Sequence, residues 1–381
     1  MKTELVAKII RIFVVALSFL CLLNVLGLNT RQAQQFGLML TIIVMFGFLL
    51  RNIWLTLFLG WTVFLYCFFK FENGSVYVAN VFYGCLLYYL TKISFKKEHI
   101  NFFINGILWL VVINVLYMGL QVLGLDFFFK KTVLVGAVKQ FIPNTDPTGF
   151  MGHVSLMGVL MALAIPLLAS KGTKISLVGS LGLFIPLYHA DASLCFLMGI
   201  VGLLTVLWFR IPRKVWIVSV LFLVLMGGSY LKYVDRPTPH RVKTWRRVLQ
   251  DCVLHPITGW GLDSFRNITE KKDFKYLAST YLHTGDRVIF YWDNPHNLFV
   301  SLWYEFGIVS IILLGGMLRD IILKFKKAPK TKITIGLFAF MVVFMGVSLG
   351  HFPIFLARFA VIVIPAFALL EVSMKKELRF R

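Results

Sequence analysis

The chain is 381 residues long, 59% hydrophobic and only 15% charged, with a mean hydropathy of +0.81. Soluble domains run to roughly 45–50% apolar and 25% charged residues, so this is the composition of a polytopic membrane protein, not of a water-soluble globule. The net charge of +22 would suggest nucleic-acid binding on a soluble protein. On so apolar a chain it reads instead as basic residues gathered at the cytoplasmic ends of spans.

In chain order, apolar runs predict spans at 12–28, 36–50, 52–71, 75–95, 101–125, 149–170, 174–189, 192–209, 214–231, 296–318, 333–350 and 353–372. Each is close to the roughly 20 residues needed to cross a bilayer. Turn signals separate several of them, such as Glu72-Asn73-Gly74 and Arg210-Ile211-Pro212-Arg213. The first run is read as a retained span, because no small-x-small cleavage site follows it. With the N-terminus placed in the cytoplasm, inside segments carry 22 basic residues and short outside joints six. That asymmetry predicts both termini inside. The expected fold class is therefore all-α: about twelve transmembrane helices, N-in and C-in, with one large extracytoplasmic loop containing short amphipathic helices. In domain terms, 1–231 holds spans one to nine, 232–295 the outer loop, and 296–381 the last three spans and a cytoplasmic tail. The five cysteines give no disulfide framework, since Cys21, Cys67, Cys85 and Cys195 lie in apolar runs and Cys252 lacks an outside partner.

The long loop is where chemistry is expected. It is too rich in aromatics, Trp245, Trp260 and Trp292 among them, to be disordered. Apolar residues at 242, 245, 248, 249, 252 and 253 follow helical spacing after Pro239, and His255-Pro256 ends the run. This predicts an amphipathic interfacial helix with Trp245 at headgroup depth and Arg241, Lys243, Arg246 and Arg247 on its polar side. Those cations suit headgroup attraction or an anion site equally well, because guanidinium groups bind phosphate oxygens bidentately. Gly259 and Gly261 allow a tight turn or a close backbone approach. Pro295-His296-Asn297 then delivers a histidine to the outer mouth of the next span.

Taken together, Arg241-x3-Trp245-x10-Pro256-x2-Gly259-x-Gly261 followed by His296-Asn297-x9-Gly307 resembles the O-antigen ligase and polymerase superfamily of membrane glycosyltransferases. The stretch Thr148-Gly149-Phe150-Met151-Gly152-His153 is similar to the family's Gly-Phe-Gly-Asn segment. Two positions depart from the family. Ser310 stands where the ligase motif has its last glycine, and Leu194 where an outer Ser-Arg pair would place a phosphate-contacting arginine.

The resemblance implies transfer of a glycan from undecaprenyl diphosphate to an acceptor hydroxyl such as lipid A-core, at the outer face of the bacterial inner membrane. It implies His296 as general base and Arg241 as stabiliser of the diphosphate. Substrate contacts would come from Arg246, Arg247, Asn297, Gly259, Gly261 and His153. Asn297 or Asp293 would orient the imidazole. No cofactor and no metal is expected, and no nucleic-acid partner. The same motif serves O-antigen polymerases and protein O-oligosaccharyltransferases. A transporter of a lipid-linked glycan is the rival from another class, though such proteins usually place ionisable groups at mid-membrane.

Overall fold

The computed structural model describes residues 53–69, 74–126, 130–135, 138–143, 149–151, 154–189, 192–210, 239–265, 277–281, 287–291, 295–350 and 357–375. The expected spans 12–28, 36–50 and 214–231 lie outside these residues. In chain order the helices are α1 (Ile53–Phe69), α2 (Gly74–Ser94), α3 (Ile100–Val122), α4 (Val154–Ser170), α5 (Lys174–Gly182), α6 (Phe184–His189), α7 (Ser193–Trp208), α8 (Pro239–Cys252), α9 (Leu298–Lys327), α10 (Lys332–Val347) and α11 (Ala357–Met374).

Among the described residues, three helical segments are long and apolar enough to cross a bilayer: Ser75–Ser94, Lys97–Val122 and Leu298–Lys327. The apolar helices at Ser155–Ser170, Ser193–Trp208, Lys332–Val347 and Phe359–Met374 are shorter. The expected span 174–189 is divided into α5 and α6. Pro186 has no N–H, and its ring clashes with the carbonyl four residues earlier, at Gly182, where α5 ends. Thr173 and Ser176 start α5 with a reciprocal capping box, both bonds 3.0 Å.

The helical expectation omitted two small β-hairpins. Lys130–Val135 pairs antiparallel with Val138–Pro143, and Leu277–Tyr281 with Arg287–Tyr291. The first lies between the expected spans 101–125 and 149–170, the second in the outer loop 232–295. Each carries β-branched or aromatic residues on either side of a short connection, a local pairing that a hydropathy scan for spans passes over.

The core is built around α4, whose residues Met157 and Val159 to Ile165 are fully buried. It packs against α7, α10 and α3, while α11 packs against α2 and α10, and α1 lies between α2 and α9. At the basic end of α9 the Glu371 carboxylate on α11 takes Lys92 of α2 at 2.6 Å and Lys324 of α9 at 3.1 Å. This ties three helices at one level.

Candidate functional site

The site is assembled where α8 lies along the first turns of α9. Val248 and Cys252 of α8 bury themselves with Val300 and Tyr304 of α9 and with Phe265, with Trp260 and Trp303 packed alongside. Residues 241, 245, 248 and 252 recur at i, i+4, i+7 and i+11, a single helical stripe. Two bonds fix the register of the two helices. The Trp245 indole N–H donates to the Pro295 carbonyl at 2.6 Å. Farther along, the Trp260 indole donates to the Asp251 carbonyl at 3.0 Å while its backbone N–H donates to the Tyr304 carbonyl at 2.7 Å. Position 245 thus sits beside 295 and position 251 beside 304, so α8 and α9 run in the same direction. Trp245, expected at headgroup depth, is anchored to protein backbone by its bond to Pro295. Its half-buried indole N–H needs an acceptor, and the carbonyl next to His296 supplies it.

Arg241 lies one helical turn before Trp245 on α8, about 6 Å along the axis. The register therefore carries position 241 about one helical turn beyond the turn that holds His296, on its outer side. The Arg241 side chain lies outside the described residues, as do His153 and Asp293. Arg246 and Arg247 are exposed and lie off the packed stripe.

His296 is partly buried and adopts φ 51°, and Asp263 adopts φ 61°. These are the two non-glycine residues in the left-handed region among those described. Such a conformation costs about 1–2 kcal/mol for a residue with a Cβ and concentrates at functional positions. Asn297 is the N-cap of α9. Its Oδ1 accepts the Phe299 and Val300 N–H groups at 3.0 and 3.1 Å, and its Nδ2 donates to the Leu349 carbonyl at 2.8 Å. The amide expected to touch substrate or steer the imidazole is thus engaged at both ends in holding the helix start, a use that Asn at a helix start favours. The Leu298 N–H donates to the Ser348 carbonyl at 2.9 Å, fastening the same turn to the end of α10. Leu194, at the start of α7, comes up against Gly350. The position where the resemblance would place an arginine therefore borders the 348–350 segment to which the start of α9 is fastened.

Gly259 and Gly307 form an interlock between loop and helix. Gly307, with φ 74° and ψ 177°, breaks α9. A Cβ there would lie 1.9 Å from the Ile257 carbonyl oxygen, and a Cβ on Gly259 would lie 2.5 Å from that of Tyr304. The two backbones touch, as the Gly-x-Gly reading allowed. The break orphans carbonyls, and the structure supplies donors to each of three. Trp260 N–H serves Tyr304, the Trp61 indole serves Phe306 at 2.7 Å, and the Ser310 hydroxyl serves Gly307 at 2.7 Å, with Leu302 at 3.1 Å. In return Ile308 N–H donates to the Pro256 carbonyl at 2.9 Å. Ser310, which departs from the glycine of the motif the chain resembles, thus has a purpose in closing this break.

Sequence reasoning missed two groups. Asp263 and Glu305 are both buried, and the Glu305 carboxylate accepts from the Phe265 N–H and the Tyr77 hydroxyl under the field of Asp263. A lone carboxylate in the apolar run 296–318 was the available signal. The second group anchors the Gly149-Phe150 stretch to α3. Gly149 N–H donates to Gln121 at 2.8 Å, Phe150 N–H donates to Asn114 at 3.0 Å, and Phe150 stacks on Tyr117 at 4.1 Å. Gln121 and Tyr117 both donate to the buried Asp126.

Among the described residues no group of three or more His, Cys, Asp or Glu side chains is arranged to hold a metal ion. Residues 156–315 match the family model described as O-antigen ligase. No curated protein matches the chain.

Proposed function

Starting from the match of residues 156–315 to the O-antigen ligase family model, we propose that the chain is a membrane glycosyltransferase. It moves a glycan from undecaprenyl diphosphate to an acceptor hydroxyl, on lipid A-core in the ligase reading, at the outer face of the inner membrane. The acceptor oxygen attacks the anomeric carbon, and the carbon–oxygen bond to the diphosphate breaks with its electron pair leaving on phosphate. His296 takes the acceptor's proton. Attack opposite the leaving group inverts the anomeric centre.

The diphosphate is already a good leaving group, so the protein's tasks are to hold growing negative charge and to accept a proton. An arginine stays charged under all ordinary conditions, and its pull on phosphate strengthens in a poorly solvated interface. Arg241 has that task, assisted by Arg246 or Arg247 where Leu194 fails to supply a cation. A histidine titrates near neutrality and gives about 10²–10⁴-fold as a general base. Neither task calls for a cofactor or metal.

One observation supports the pairing above all others: the Trp245 bond to the Pro295 carbonyl. It brings the helix of Arg241 to the residue before His296, across 50 positions of sequence. The test is transfer in proteoliposomes from a polyprenyl-diphosphate glycan, with lipid A-core, a second donor molecule or protein offered as acceptor. Arg241→Ala and His296→Ala are each expected to lose transfer while still inserting. Full activity of the His296 variant would refute the proposed base. The acceptor that is consumed separates ligase from polymerase and from protein O-oligosaccharyltransferase. Movement of the lipid-linked glycan across the vesicle without any new glycosidic product would replace all three with transport.

A further inference from the structure

Helix α8 and the turn after it have an outward side that no described element covers. Leu249 is 37% exposed, Val253 67%, Leu254 66% and Ile257 61%. This side begins, toward the N-terminus, at the exposed Arg246 and Arg247. At its other end the Ile308–Pro256 bond sets Ile257 beside α9 just past its break. One turn farther along α9, Ile312 is 62% exposed on a helix apolar enough to span a bilayer. The apolar side of α8 is therefore continuous with the outward side of a candidate span.

Depth follows from helix geometry. Arg319 is the first charged residue toward the basic end of α9 and marks one edge of the hydrocarbon. Tyr304 lies 15 residues before it, about 22 Å away as measured along the two helical pieces that meet at Gly307, within a core about 30 Å thick. Asn297, 22 residues before Arg319, lies about 33 Å away along the same path, at the opposite edge. Because α8 runs alongside α9 with 251 level with 304, its C-terminal end descends to the same depth as Tyr304.

From these observations we infer that residues 249–262 form a re-entrant element inserted into the leaflet opposite the basic end of α9. Leu249, Val253, Leu254 and Ile257 face phospholipid acyl chains, and Arg246 and Arg247 stand at the level of the lipid phosphates. Irregular backbone survives at membrane depth only where its polar groups are met by protein. Here Leu254 N–H bonds to Asp251, Gly259 N–H to His255, Trp260 N–H to Tyr304 and Ser264 N–H to Gly261, all carbonyls. Basic residues at one end of an apolar ridge also match the order of a leaflet, phosphate outside and acyl chain within. The arrangement sets the His296 turn at phosphate height, where the diphosphate of a lipid-linked molecule resides. The insertion itself does not depend on the proposed reaction.

The experiment places single cysteines at Arg246, Val253, Ile257 and Ile312 in a chain whose five native cysteines are replaced by alanine or serine. Each is labelled with a nitrobenzoxadiazole fluorophore in phospholipid vesicles. Acyl-chain bromination is expected to remove at least half the emission at 253, 257 and 312, and less than half as much of it at 246. Aqueous iodide is expected to show the reverse order. Ready quenching of 253 and 257 by iodide would overturn the inference. So would protection from both quenchers, which would mean that a protein covers the ridge. The unlabelled wild-type chain provides an independent measurement with a photoactivatable acyl-chain lipid. Adducts are expected in the peptide containing 249–257, and their absence from a sample labelled at Ile312 would also overturn it.

Discussion

Replacing Gly307 with alanine tests the interlock that holds the loop to its helix. The φ 74°, ψ 177° conformation is accessible essentially to glycine alone, and forcing another residue into it costs about 1–3 kcal/mol. The new methyl would sit 1.9 Å from the Ile257 carbonyl oxygen and 2.4 Å from its carbon, so the loop must withdraw. Withdrawal removes the Trp260–Tyr304 and Ile308–Pro256 bonds, each worth a net of about 1 kcal/mol. The expected loss is about 3–5 kcal/mol, a large part of a typical stability of about 5–15 kcal/mol. Denaturant titration in detergent measures it. Gly259→Ala strikes the same joint from the other side. Once one methyl has pushed the strands apart the second meets less resistance, so the double variant should lose less than the sum of the singles. Gly315→Ala, with nothing within 4 Å of its would-be Cβ, is the control and should be neutral or gain up to about 1 kcal/mol. The reasoning fails if Gly307→Ala behaves like Gly315→Ala, or if the two interlock variants are simply additive.

Three further outcomes are expected. Ser310→Ala leaves the Gly307 carbonyl without its 2.7 Å donor in a fully buried place and should cost about 1–2 kcal/mol in the same titration; a neutral result would show that the hydroxyl is incidental. Trp245→Phe keeps the ring but removes the donor to Pro295. It should reduce glycan transfer by more than the roughly fivefold matching a 1 kcal/mol bond, because the turn of His296 is released, and an unchanged rate would separate the two elements functionally. His296→Asn should be as stable as wild type or more so, since asparagine accepts a left-handed φ readily, yet inactive in transfer; a destabilised but active variant would make His296 a structural residue.

Much of the helical architecture was legible as hydropathy. The run 101–125 became Ile100–Val122 and the run 333–350 became Lys332–Val347, because long apolar segments leave the backbone no partner but itself. The amphipathic helix after Pro239 was equally legible from its spacing. What it docks against was not, since periodicity reports a face and not its partner. Trp245 illustrates the limit: its spacing marks the packed side of the helix, but not the distant Pro295 carbonyl that its indole meets. Asn114, Tyr117 and Gln121 recur at i, i+3 and i+7 within an apolar run. That is a readable polar stripe, but its purpose in gripping Gly149 and Phe150 emerges only once α3 and the segment ahead of α4 are side by side. Pro186 was in plain view and still passed as part of one span, because composition alone does not register a missing N–H.

The His-Asn-x9-Gly spacing gains a mechanical meaning from these contacts. Asn297 fixes where α9 begins, and Gly307 fixes where its first piece ends, leaving Leu298–Phe306 as a short rod of about two and a half turns. Both ends of that rod are fastened to other elements: Leu298 and Asn297 to Ser348 and Leu349, and Tyr304, Phe306 and Ile308 to Trp260, Trp61 and Pro256. His296 is attached to the outer end, directly ahead of the cap, and is bent into a left-handed φ. A shorter rod would rotate the histidine by about 100° for each residue removed, and without the glycine the loop that carries Trp260 would have no backbone to grip. The nine intervening residues are therefore set by geometry more than by chemistry. Deleting one residue from 299–305 should abolish transfer while hydropathy, and so insertion, stays essentially unchanged. If such a deletion still transferred glycan at the wild-type rate, the rod would not be what aims His296.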